Sequence, residues 1–259
     1  GLLRLRADIA RNAQVTNNLA QVKSETDTAE QSLETATQLM DRITSLAAQG
    51  ANGTETASQR ASIAQEVGGL LDQLIGLSQT TVQGRFVFSG DQDQLPQYQV
   101  NLVNANGVDR LTTPTATRQV QDASGVTFRV GLTAQDIFDH RNPDDSLAAD
   151  NVFAAVNSLR VSLLNNDQPG IMTALNSLHQ AGDYLNTQLA FYGSVQSRIS
   201  QATDFAAKQK TQLQIDLGAI LDADITQAAL QLTQGSTQLN TALSAEARLP
   251  HTSLFDFLA

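Results

Sequence analysis

The sequence predicts a mainly α protein: an elongated antiparallel bundle of long helices with a small antiparallel β-rich insertion domain. Three observations predict it. Apolar residues recur at alternating spacings of four and three over long stretches, which keeps one stripe facing a partner helix. All five prolines (Pro96, Pro114, Pro143, Pro169, Pro250) fall between or beyond those stretches, where a residue that breaks helix interiors does no harm. Hydrophobic residues make up 41% of the 259, yet aromatics only 5%, with no Trp. A compact enzyme core uses more aromatic bulk, whereas thin helical layers pack with Ala, Leu, Ile and Val.

The first helix is expected over about residues 3–49, with a seam of Val22, Thr26, Ala29, Leu33, Ala36, Met40, Ile43 and Ala47. Its length would be roughly 70 Å at ~1.5 Å per residue. Gly50-Ala51-Asn52-Gly53-Thr54 is a turn-forming cluster that stops it. The second stretch, about 56–82, repeats the alternation in Ile63, Val67, Leu70, Leu74, Leu77 and Thr81. A short link makes the two helices antiparallel neighbours.

Between about residues 84 and 142 the period changes. Arg85-Phe86-Val87-Phe88 and Val126-Thr127-Phe128-Arg129-Val130 are rich in β-formers, and Asn106-Gly107 and Ser124-Gly125 are turn signals beside them. Helical spacing returns with Val152, Val156, Leu159 and Leu163, and a pause follows near 165–170. In the last stretch, about 171–248, Leu178, Leu185, Tyr192, Ile199, Ala206, Leu213 and Ile220 lie seven apart. Leu221, Ile225, Ala228, Leu232, Leu239 and Ala242 continue in a shifted register, so a stutter or break is expected near 217–223. The predicted divisions are residues 1–90 and 146–218 as the two parts of the helical core, 91–145 as the insertion, and 219–259 as a terminal helix and tail. An insertion with its own small core would be removable, leaving the helices folded.

The net charge of −10, with no Lys/Arg cluster, gives no surface for tracking phosphates, so nucleic acid is not expected as a partner. There is no Cys, hence no disulfide or thiolate metal site. No apolar run reaches the length of a membrane helix, and no signal-peptide pattern occurs. The first residue is Gly1, and the chain opens inside an amphipathic pattern, so the natural N-terminus is expected to precede it. The three histidines (His140, His179, His251) share no helical face. His140 with Asp136, Asp139 and Asp144 could be drawn as a metal site, but a polar loop explains the same residues. Asp91-Gln92-Asp93 opens like a calcium loop without its Gly or closing Glu, so it is read as a solvated turn. Neither phosphate-binding loops nor nucleophile motifs occur, and no catalytic residue, cofactor or metal site is predicted. The residues singled out are instead apolar: Leu221, Ile225, Ala228, Leu232 and Leu239, and the tail residues Leu254, Phe255 and Phe257. Chain ends are ordinarily polar and frayed, so an apolar end implies burial against another chain or against a preceding segment.

Four pieces carry a resemblance over nearly the whole chain. Leu3-Arg4-Leu5-Arg6-Ala7-Asp8 followed by Asn12, Gln49-Gly50-Ala51-Asn52-Gly53-Thr54, Gly84-Arg85-Phe86-Val87-Phe88-Ser89-Gly90, and Asp222-Ala223-Asp224-Ile225 through Leu243 resemble the bacterial flagellin superfamily. The third piece is most similar to its hook-associated members at the hook–filament junction. The resemblance implies a non-enzymatic, secreted, extracellular subunit of the bacterial flagellum, with a flagellin filament subunit as the alternative. It further implies a homo-oligomeric ring, with a neighbouring hook-associated protein and flagellin as partners. A flagellar export chaperone would hold the C-terminal helix beforehand, and no nucleic acid or membrane insertion is implied. The family's first N-terminal helical segment has no counterpart here, and the insertion is short.

Overall fold

A computed structural model describes residues 1–247. Its elements are α1 (Leu2–Ala51), α2 (Ala57–Ser78), β1 (Thr81–Val82), β2 (Arg85–Phe86), β3 (Tyr98–Val100), β4 (Val108–Arg110), β5 (Gln119–Gln121), β6 (Thr127–Arg129), α3 (Ala134–Ile137), α4 (Val152–Leu164) and α5 (Gln168–Glu246). The chain forms two compact units. One is Gln14–Ala206, and the other joins Gly1–Ala13 to the chain from Ala207 onward.

In the larger unit the α1 seam is closed. Val22, Thr26, Ala29, Leu33, Ala36, Met40, Ile43 and Ala47 are all buried, as are Ile63, Val67, Leu70 and Leu74 of α2. On α4, Val152, Val156, Leu159 and Leu163 face inward, and Leu178, Leu185, Tyr192, Ile199 and Ala206 do so on α5. Each full burial of such a side chain is worth about 1.5–3 kcal/mol relative to exposure, so the seams dominate the stability of this unit.

The corner between α1 and α2 is built around a charge. Arg60 is only 5% exposed. Its Nε donates to the Gly50 carbonyl at 2.8 Å, Nη2 to the Asn52 carbonyl at 3.1 Å, and Nη1 to Asn166 Oδ1 at 2.6 Å. A guanidinium at a helix C-terminus satisfies carbonyls that have no intrahelical donor and complements the negative end of the dipole. The same side chain ties this corner to the link between α4 and α5. Gly50 is required for closeness, since a Cβ there would stand 2.5 Å from Leu163 Cδ2. Thr56 then caps α2, its Oγ1 accepting from Gln59 N while its own N–H donates to Gln59 Oε1.

Helix α2 ends four residues earlier than its apolar spacing predicts. Ser78 is its last residue, and the β-branched pair Thr81–Val82 forms β1 instead. Gln83 and Gly84, at φ of 52° and 77°, turn the chain into β2. Two consecutive left-handed residues suit the tight turn of a twisted hairpin. The strand expected over 85–88 is shortened to Arg85–Phe86, because Phe88 leaves the hairpin for the core.

The β region holds three separate antiparallel hairpins rather than one sheet. β3 and β4 pair Tyr98 with Arg110 and Val100 with Val108, and β5 and β6 pair Val120 with Phe128. Gly107 and Gly125 supply the positive φ at the two expected turns. Strands of two or three residues cannot stand alone, and these do not. Phe88, Tyr98, Val108, Leu132, Ile137 and Phe138 share one buried cluster with Leu33, Val67, Leu71, Val156, Leu185 and Tyr192 of the helices. Val120, Phe128 and Val130 pack in a second cluster with Leu19, Val22, Val195, Ile199 and Ala202. The insertion does not have the core of its own that is expected from the sequence: the hairpins are too small to bury an apolar face except against the helices, whose clusters they share.

Aromatic rings sit where hairpins meet helices. Phe88 contacts Phe138 and Tyr192 edge-on, at 6.1 and 6.3 Å between centroids, and Phe138 stacks on Phe153 at 5.6 Å. Tyr192 Oη accepts from the Leu132 amide at 3.1 Å, and Tyr184 Oη donates to the Asp136 carbonyl at 2.5 Å. Burial pushes the Tyr184 phenol up to about 12 and raises the Tyr98 and Tyr192 phenols as well, so all three stay neutral.

Asp139 is the fully buried carboxylate of this region. Its Oδ1 accepts from Asn106 Nδ2 and Asn151 Nδ2, both at 2.9 Å, and its Oδ2 from Arg141 Nε at 2.9 Å. A carboxylate removed from water persists only with such partners. The other residues of the drawn metal site go elsewhere. His140 Nδ1 meets Asp150 at 2.6 Å, Asp136 joins Thr133 and Arg129, and Asp144 holds Ser146. Asp91 of the presumed solvated turn accepts from Thr115 Oγ1 at 2.6 Å. Asp93 pairs with Arg85 and Arg118.

Two outcomes follow for stability. Asp139→Ala leaves Arg141 and two amides without their acceptor inside the fold, and should cost about 3–5 kcal/mol in urea unfolding followed by circular dichroism. Replacing residues 91–142 by a short linker should lower the helical melting temperature markedly, because it strips Tyr98, Val108, Phe128 and Phe138 from the helix faces. A deletion that melts with the parent would show that the helices pack without the hairpins.

Candidate assembly interface

Helix α5 runs unbroken through 217–223, where the change of register suggested a stutter or break. Its surroundings change instead. Through Ala206 its inward residues are buried, whereas Leu213, Leu217 and Ile220 are half-buried. In the smaller unit Leu2, Leu5, Asp8 and Ile9 of α1 are half-buried too, and Asn12 Nδ2 donates to Gln209 Oε1 at 2.9 Å.

Beyond Ile220 the cover ends. Every residue over 221–247 is exposed. The selected residues lie on that span: Leu221 is 37% exposed, Ile225 66%, Leu232 76% and Leu239 62%, with Ala228 exposed between them. Their spacings of four, three, four and seven place them on one stripe of a continuous helix. Leu230 and Leu243 add further exposed apolar surface. Leu254, Phe255 and Phe257 lie outside the described residues.

An open stripe of large aliphatic side chains is suited to one task, packing against another helix. Monomeric proteins rarely expose large contiguous apolar patches, and a helix gains most of its stability from covering such a face. The stripe carries no ionisable side chain and has no chemistry beyond burial. Among the described residues, no group of three or more His, Asp or Glu is placed to hold a metal ion, and no helix is long and apolar enough to cross a membrane. The alternating spacings of four and three revealed the stripe in the sequence. The aromatic junction around Tyr192 and the Asp139 network escaped notice, since their members lie far apart in the chain.

The exposed state of the stripe has a measurable consequence. In a dilute solution of the chain, backbone amides over 221–247 should exchange with solvent orders of magnitude faster than those over 22–47, because local opening there uncovers no buried core. Equal protection would mean that the stripe already has an intramolecular partner.

Comparison with known proteins places this architecture. Residues 2–93 match the bacterial flagellin N-terminal helical region, and residues 172–258 match the bacterial flagellin C-terminal helical region. Flagellar hook-associated protein 3 of Escherichia coli (strain K12) is 26% identical, over 79% of this chain and 68% of that protein. A structure provisionally described as a flagellar hook-associated protein from Vibrio parahaemolyticus superposes with a TM-score of 0.71 at 20% identity, covering 84% of this chain and 95% of that one. FlgL from Bacillus cereus gives 0.65 at 18% identity, covering 82% and 97%. The flagellin of the same organism gives 0.50 at 18% identity, covering 73% and 88%. With both helical regions matched, on either side of β3 to β6, the chain belongs to the bacterial flagellin family.

Proposed function

We propose that this chain is a structural subunit of the bacterial flagellum that forms the junction between hook and filament. The observation that carries the reading is the contrast within one organism: at equal identity, the fold is closer to the hook-associated FlgL of Bacillus cereus than to its flagellin. The Escherichia coli relative, itself a hook-associated protein, supports the same branch.

The physical features suit assembly rather than catalysis. The closed seams of Gln14–Ala206 give a rigid body, and the open stripe of α5 gives a face that gains stability only on contact. In this reading Leu221, Ile225, Ala228, Leu232 and Leu239 pack against helices of neighbouring subunits in a ring between a second hook-associated protein and flagellin. Before assembly, an export chaperone takes the same stripe by helix-in-groove capture, with Leu221, Ile225, Ala228 and Leu232 as anchors. In the same reading Leu254, Phe255 and Phe257 of the apolar C-terminal sequence take part in these contacts. The protein acts outside the cell.

Purified full-length protein distinguishes the junction subunit from a filament subunit. Incubated alone it should form no filaments in electron micrographs, and added to isolated hooks it should decorate their ends and permit flagellin to polymerise from them. Long filaments of the protein alone would assign it to flagellin instead. Ile225→Asp with Leu232→Asp should abolish addition to hook ends while leaving the melting transition unchanged, since both positions are exposed.

A further inference from the structure

The charge of the molecule is divided unevenly. Gln14–Ala206 carries twice as many acidic as basic side chains, and the whole net charge of −10 resides there. Each of its basic residues is engaged. Lys23, Arg42, Arg85, Arg110, Arg118, Arg129 and Arg141 pair with carboxylates. Arg60 and Arg160 hold backbone carbonyls, and Arg198 lies 4.4 Å over the Phe128 ring.

The smaller unit balances six acidic against six basic side chains, and its described basic groups stand apart from carboxylates. Arg4, Arg6 and Arg11 of α1 and Lys208 and Lys210 of α5 are all exposed, and among the described residues none has a carboxylate within 4.0 Å. The hydrogen bond from Asn12 to Gln209 brings the two sets together around one helix pair. Asp8, Asp204 and Asp216 are the carboxylates of these turns, and Asp216 already accepts from Gln212. Five basic side chains against three carboxylates leave these turns a positive collar whose members form no ion pair among the described residues, and an external anion would complement it.

The complementary surface is on the same chain. Asp27, Glu34 and Asp41 lie seven apart on α1, hence on one face, and all three are exposed. Among the described residues Glu34 and Asp41 form no ion pair, while Asp27 meets the exposed Lys23. This face lies beside the buried seam of Leu33, Met40 and Ile43, on a rigid part of the helix.

We infer that the basic collar of one copy, centred on Arg4, Arg11, Lys208 and Lys210, docks on the Asp27–Glu34–Asp41 face of a second copy. This deepens the proposed assembly role and rests on that reading only for its biological setting. The contact is polar and exposed, so it orients and accelerates association more than it tightens it, and it is weakened by salt. It separates two tasks: the apolar stripe of α5 supplies burial, and the charges set which face meets which.

The test is sedimentation velocity of the full chain in 20 mM and 500 mM salt, without hooks. The wild-type chain should associate reversibly at low salt, and at least tenfold more weakly at high salt. Arg4→Glu, Arg11→Glu, Lys208→Glu and Lys210→Glu together should abolish association, as should Asp27→Lys, Glu34→Lys and Asp41→Lys together. An equimolar mixture of the two variants should associate again. All seven positions are exposed, and circular dichroism checks that both variants fold. The inference is overturned if the wild-type chain is monomeric at low salt, if the reversals leave association unchanged, or if the mixture fails to restore it. Binding of heparin by the collar without self-association would give the collar to another polyanion and also overturn it. Because hooks are absent, failure here leaves the junction assignment standing, and a failure of that assignment would not restore salt-independent association.

Discussion

An apolar stripe on a helix must be covered, and the rest of this structure follows from where cover is available. Over 22–47 the stripe of α1 meets α2, α4, α5 and the hairpins, and the seam is closed. Over 221–247 the same kind of stripe is exposed, with no cover among the described residues. One physical requirement thus produces both the stable body and the surface that seeks a partner. The body draws on Gln14–Ala206 and the open face on the later part of α5, so one helix carries both a covered and an uncovered stretch.

The hairpins are part of the body. Strands of two or three residues contribute few ladder hydrogen bonds, and their persistence comes from Phe88, Phe138 and Phe128 burying against helices. Polar anchors make the attachment specific: Tyr192 takes the Leu132 amide, Tyr184 holds the Asp136 carbonyl, and Asp139 gathers Asn106, Asn151 and Arg141. The arrangement joins residues from both sides of the hairpins to α5, which makes the aromatic junction a hinge point between local and long-range structure.

Charge follows the same division of labour. In the body, arginines are spent on corners and hairpins, as in the Arg60 clasp of two interhelical links. Among the described residues of the smaller unit, Arg4, Arg6 and Arg11 form no ion pair. A subunit that must stay soluble alone and yet associate correctly gains from keeping its net charge on the rigid part, where it discourages indiscriminate contact.

Much was legible in the sequence. Spacing alone located the seams, because a helix repeats its facing residues every three or four positions whatever the partner. The turns at 50–54, 106–107 and 124–125 announced themselves through Gly and Asn. The stripe at 221–239 was visible for the same reason as the seams. What the sequence could not reveal was which stripes are covered, since cover is a property of residues far away along the chain. Only the tertiary structure decided that Thr81 belongs to a hairpin rather than to α2, that α5 continues through its change of register, that Asp139 is buried with Arg141 rather than free to bind a metal, and that the hairpins share the helical core. In each case local preference was close to balanced, and long-range packing supplied the few kcal/mol that settled it.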